Sequence, residues 1–174
     1  MKTREEEALC QVSDCLQGRI RITLPQGWQR PSNEILARKF PYRTTPQEVF
    51  SDTQAEQIIT FSLLDKQLQE KQVYTAVREI QRVISHIYPE SIREQARMIR
   101  IKAGVAGIFA FITGGIREDA YHSMFILSVD EKMLLGSFHL PEGQAESGRK
   151  TRMDIMRSIE FLNTQKNTEA YKSI

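Results

Sequence analysis

The chain has 174 residues, of which 40% are hydrophobic, 8% aromatic and 26% charged. These are the proportions of an ordinary globular protein, long enough for one domain that buries roughly 70% of its unfolded surface, and they exclude global disorder and the fibrous classes. Twenty-four Lys and Arg against 22 Asp and Glu leave a net charge of +2, too near balance to point to nucleic acid.

Residues 1–18 form an N-terminal segment in which Ala8, Leu9, Val12 and Leu16 fall at near-helical spacing, which predicts a short helix. Glu5 to Glu7 sit in it without an apolar run, so it does not read as a signal peptide. In GRIRITLPQGW, Ile20, Ile22 and Leu24 alternate with Arg19, Arg21 and Thr23, the pattern of a strand with one buried face. Pro25 and Gly27 end it in a turn. Pro31, Pro41 and Pro46 make 31–47 read as irregular chain, with Ile35 and Leu36 as its buried contacts. A short strand at Val49-Phe50 follows, then a strand in IITFSLL with Ile59, Phe61 and Leu63 on one face.

From Glu70 the period changes. Val73, Val77, Ile80, Ile84 and Ile87 form one apolar stripe on a helix that Pro89 ends. Four strands are predicted next, at about 95–102, 105–113, 121–129 and 133–140. VAGIFAFIT is apolar on both faces and belongs in a sheet covered on both sides. Asp130-Glu131-Lys132 reads as a tight hairpin connection and Gly114-Gly115 as a turn. A closing helix at about 147–162 carries Met153, Met156, Ile159 and Leu162, and 164–174 reads as a flexible tail. Successive strands on short connections cannot be parallel. The expected fold is therefore α+β: a mainly antiparallel sheet of about six strands between helices, in a single domain over 19–163.

Several strings carry a family likeness: RITLPQGW, KFPYRTTPQEVFSDTQAEQIITFSL, MFILSVDEKMLLGSFHLP and RMDIMRSIEFL. Over about residues 19–162 the chain resembles the Mog1/PsbP-like group, which includes the bacterial DcrB-like proteins. Leu24, Pro25, Gly27 and Trp28 match its entry turn, and Ser158-Ile159 the end of its last helix. The resemblance implies an antiparallel sheet between helices and a role in binding or assembly, as for a nuclear-transport GTPase cofactor, photosystem subunits or secretion-associated chaperones. No shared catalytic residues carry over. Members often hold a tryptophan at the start of the closing helix, where this chain has GRKTRM.

The residues themselves carry little chemistry. Cys10 and Cys15 lack the C-x-x-C spacing of redox or zinc sites and read as reduced thiols. His86, His122 and His139 form no ligand pair, so no metal or other cofactor is expected. Ser137 and His139 share a strand face but are expected to lie roughly 7 Å apart, too far for a direct hydrogen bond. No nucleophile elbow or phosphate loop is present in the sequence. The longest nearly apolar run, 105–112, is far short of the roughly 20 residues that span a bilayer. A cytoplasmic protein without membrane association is the expectation.

One local bias stands out. Between 19 and 43 there are six basic residues against the single acid Glu34, interleaved with aromatics. Arg19, Arg21, Trp28, Arg30, Arg38, Lys39, Tyr42 and Arg43 form a candidate patch for an acidic protein partner. The plainer alternative makes the arginines the wet face of a strand and the aromatics part of the core. The resulting expectation is a non-enzymatic bacterial adaptor or chaperone-like domain that recognises a protein partner, able to form a homodimer through a free sheet edge. The alternative is a small-ligand carrier with an apolar pocket between the sheet and helix 70–88.

Overall fold

The computed structural model of the protein describes residues 10–41 and 45–162. Its elements in chain order are β1 (Cys10–Cys15), β2 (Ile20–Pro25), α1 (Asn33–Lys39), β3 (Glu48–Ser51) and β4 (Ile58–Gln67). A single 3₁₀ turn (Glu70–Gln72) leads into α2 (Val73–Ile87), followed by β5 (Ile92–Ile101), β6 (Gly104–Thr113), β7 (Ala120–Val129) and β8 (Lys132–Pro141). The last elements are α3 (Arg149–Ser158) and β9 (Glu160–Phe161). Six strands make an antiparallel sheet in the order β3-β4-β8-β7-β6-β5, and β1-β2-β9 make a small second sheet.

The large sheet has two covered faces because β6 is apolar on both. Phe109 and Phe111 point to one side, where Val73, Ala76 and Val77 of α2 pack on them with Ile126 and Met133. Contact is closest at Gly107, where a Cβ would lie 2.7 Å from Val77 Cγ1, so this site accepts only hydrogen. Ile108 and Ala110 point to the other side, into a larger core with Phe61, Phe125, Leu134 and Phe138. That core is closed by Ile20, Ile22 and Leu24 of β2 and by Ile155 and Met156 of α3. The second cover is thus a helix together with the small sheet.

Four expectations change. The N-terminal helix is, over the described residues, a strand: β1 pairs with β2 along its whole length, from Cys10↔Pro25 to Cys15↔Ile20. Its apolar spacing was compatible with a helix, but backbone pairing with an amphipathic neighbour decides the conformation. In the segment read as irregular, Ser32 caps α1, its Oγ accepting from the Ile35 N–H at 3.4 Å, while Ile35 and Leu36 are only half-buried. The closing helix stops at Ser158, because Glu160 and Phe161 pair with β2. Gly114 and Gly115 belong to a longer loop over 114–119 between β6 and β7. Tyr42, Arg43 and the tail at 164–174 lie outside the described residues.

The predicted β7–β8 hairpin is present. Asp130 and Glu131 take φ of 50° and 59°, the left-handed pair of a two-residue turn, with Val129 opposite Lys132.

Candidate functional site

The basic segment at 19–43 does not act as one surface. Trp28 is 7% exposed and packs on Phe138 with ring centroids 5.8 Å apart, so it belongs to the core. Trp28→Ala is expected to cost about 3–5 kcal/mol, measured by denaturant unfolding, as for any large buried aromatic. Arg19 pairs with Asp130 at 2.9 Å, and Arg21 with Asp14 through two hydrogen bonds at 2.7 and 3.2 Å. Arg21 thereby holds Asp14 below the usual carboxylate range. Arg30 pairs with Glu48 and lies over the Phe50 ring. Arg38 and Lys39 remain exposed in the last turn of α1.

The two cysteines sit at opposite ends of β1. Five residues of extended strand separate them by about 17 Å, beyond the reach of a disulfide. Burial, followed by the nearby Glu48 charge, pushes the Cys15 thiol up to about 12.

A polar chain runs across the sheet face that α2 partly covers. Thr60 Oγ1 and Ser137 Oγ are 2.9 Å apart, Ser137 Oγ bonds His139 Nε2, His139 Nδ1 meets His122 Nδ1 at 2.6 Å, and His122 Nε2 meets Thr113 Oγ1 at 2.7 Å. The direct Ser137–His139 bond corrects the expectation from strand geometry. Seven ångströms separates the backbones of alternate residues, but both side chains lean into the gap. Facing Nδ1 atoms require one imidazole to donate and the other to accept, so the two Nδ1 atoms hold a single proton between them. Phe111 stacks on His122 at 4.8 Å, and the Phe40 edge meets His139. Burial lowers His122 to about 4; burial, then the His122 and Lys39 charges, lower His139 to about 3. Among the described residues no three His, Cys, Asp or Glu side chains come together as a metal group.

A broad groove lies along β5, an outer strand of the large sheet. On one side of β5 a groove of about 930 Å³ opens between the strand and α3, lined by Arg97, Arg149, Lys150 and Arg157, with Glu94, Glu146 and Asp154 also at its wall. On the other side a groove of about 240 Å³ is lined by Arg78, Gln81 and Arg82 of α2. Gln95 lines both, so the two grooves flank one strand. Together β5 and α3 carry seven basic residues against Glu94 and Asp154. Arg78, Arg82, Arg100, Arg149 and Arg157 have no ion pair among the described residues. Beneath this surface, Arg152 is 2% exposed and lies 4.9 Å over Tyr121, with its Nη2 3.5 Å from Glu94. The Tyr121 hydroxyl donates to the same carboxylate at 2.7 Å.

Sequence reasoning passed over these arginines, although GRKTRM and IREQARMIRIK contain them. Their significance depends on β5 being an outer strand with α3 beside it, which local spacing does not encode.

No protein-family model matches the chain, and no curated protein matches it in sequence. Among solved structures it is similar to cyanobacterial PsbP from Synechocystis sp. PCC 6803, with 13% identity and a TM-score of 0.54 over 89% of this chain and 94% of that one. It is similar to a point mutant of Mog1, with 10% identity and a TM-score of 0.52 over 89% and 97% of the two chains. A Bacteroides thetaiotaomicron protein aligns with a TM-score of 0.62 and 10% identity, over 90% of this chain and 50% of that one. The fold is Mog1/PsbP-like. Among the described residues no helix is long and apolar enough to cross a membrane.

Proposed function

We propose that this Mog1/PsbP-like domain is a non-enzymatic binding or adaptor module that recognises a protein partner along β5. The observation that carries the reading is a sheet edge flanked on both sides by arginines, of which Arg78, Arg82, Arg149 and Arg157 have no ion pair among the described residues. Unneutralised cations around an open groove attract an anionic surface and speed its encounter. The segment at 19–43 supports this role less well, since three of its arginines are already paired and its tryptophan is core.

The test is site-specific photocrosslinking in the native cell, with benzoylphenylalanine in place of Gln95. A discrete protein adduct is expected. It disappears in Arg97→Glu/Arg149→Glu/Arg157→Glu, a variant whose exposed substitutions keep the circular dichroism and melting curve of the parent. An adduct of undiminished yield in the triple variant, or no adduct at Gln95, overturns the reading.

A further inference from the structure

We propose that the occupant of the β5 groove is an extended acidic segment of the partner, added to the large sheet as a further antiparallel or parallel strand. This rests on the binding reading above and specifies its chemistry. The backbone of β5 supplies the first argument. Its hairpin with β6 closes at Ile101↔Gly104, around the two residues Lys102 and Ala103. Lys102 turns its N–H away from β6, donating to the Arg157 carbonyl at 3.1 Å. Backbone groups in an antiparallel strand alternate between its two sides. The N–H and C=O of Arg100 and Met98 therefore also point outward, and among the described residues no strand pairs with them there. At the other end the Gln81 side chain accepts from the Ala96 N–H at 2.5 Å and donates to Gln95 at 2.7 Å. The open stretch is thus bounded, between a glutamine side chain and the end of α3. It is about the length that a short extended peptide spans.

Charge supplies the second argument and selects the occupant. Side chains of an added strand alternate between the two sides of the sheet. On one side they meet Arg97, Arg149 and Arg157; on the other they meet Arg100, Arg78 and Arg82. Carboxylates at either parity find a guanidinium, whose planar donors suit them. A second copy of this chain is a poor occupant by the same reasoning, because β5 against β5 sets arginines against arginines. The acids of the groove offset this only through Glu146, since Glu94 is engaged by Arg152, Arg97 and Tyr121, and Asp154 lies 2.9 Å from Lys150.

The test uses the full chain and a blocked, fluorescently labelled hexapeptide of alternating glutamate and valine. A lysine–valine counterpart serves as the charge control. A third peptide is N-methylated at every residue, so it keeps the carboxylates and loses every backbone donor. The glutamate peptide is expected to bind saturably, and the other two at least tenfold more weakly. Salt at about 0.5 M weakens the glutamate peptide by a similar factor, because screening acts on exposed pairs. In the complex the Met98 and Arg100 amides exchange more slowly than in the free protein. Equal binding of the methylated peptide with unchanged amide exchange overturns strand addition, yet leaves a basic partner-binding groove intact. No saturable binding of the glutamate peptide overturns the acidic-segment assignment, whatever the crosslinking at Gln95 returns. Slow exchange of the same amides in a peptide-free dimer makes a second copy the occupant and overturns the proposal too.

Discussion

Acidification from neutral pH destabilises the protein steeply, and replacing His122 and His139 by glutamine removes much of that pH dependence. In the folded chain the two imidazoles are held neutral, at about 4 and about 3, against 6.5 for an ordinary histidine. Between pH 6.5 and those values the unfolded chain binds protons that the folded chain does not. Stability therefore rises with pH through this window, is complete above about 6.5, and is lost progressively on descent. For His122 the shift corresponds to about 3 kcal/mol, with His139 adding to it in the same direction. A whole domain is stable by only about 5–15 kcal/mol, so this is a large share.

The direction follows from contacts. A proton on either imidazole would sit among Phe111, Phe40 and the sheet, with the Lys39 charge opposing it at His139. A single extra proton leaves one proton between the two Nδ1 atoms, but a second sets N–H against N–H. Asp14 and Asp65 also favour high pH, because Arg21 and Lys132 hold them low, but they titrate below the ordinary carboxylate value of 3.8. Chemical denaturation of parent and His122→Gln/His139→Gln from pH 8 downward separates the two sources. The parent loses stability between about 6.5 and 4, whereas the variant stays nearly flat until the carboxylates begin to protonate. Parallel curves through that window would mean that the imidazoles are charged in the folded chain.

Most strands were legible because each buries one face or two, and period-2 alternation or a continuous apolar run reports this directly. Helix α2 was legible for the same reason at period 3.6. The misses share a physical cause. β1 has no clean alternation of its own, and its conformation is set by pairing with β2. α1 owes its start to one Ser32 hydroxyl and leaves its apolar residues only half-buried. Ion pairs decided the fate of the predicted patch, and the partner of Arg19 is Asp130, 111 residues away. The arginines along β5 gained their meaning from strand order, a property of the whole sheet. The His122–His139 pair likewise exists because register places the two residues opposite each other.

Gly136→Ala is the single methyl group expected to do most damage. Gly136 lies in the middle of β8, opposite Phe61 on β4 and Phe125 on β7. A Cβ there would lie 2.0 Å from Phe125 Cζ, with the adjacent ring carbons at 2.3 and 2.5 Å. The ring has no room to retreat. Phe125 is fully buried, and Phe61 meets it edge-on with centroids 5.8 Å apart. Overpacking a rigid core costs typically 1–3 kcal/mol, and this overlap with an aromatic ring places the loss at about 3 kcal/mol or more. Replacing glycine by alanine within a strand would otherwise be mildly favourable, since alanine loses less backbone entropy. The clash, and not propensity, therefore sets the sign. Phe125→Leu opens the space, so the double variant Gly136→Ala/Phe125→Leu should be more stable than the two single losses add up to. A double-mutant cycle by urea unfolding reads this as a favourable coupling of at least about 1 kcal/mol. Strict additivity would show that Phe125 can move aside after all, and that this layer of the core is looser than its packing implies.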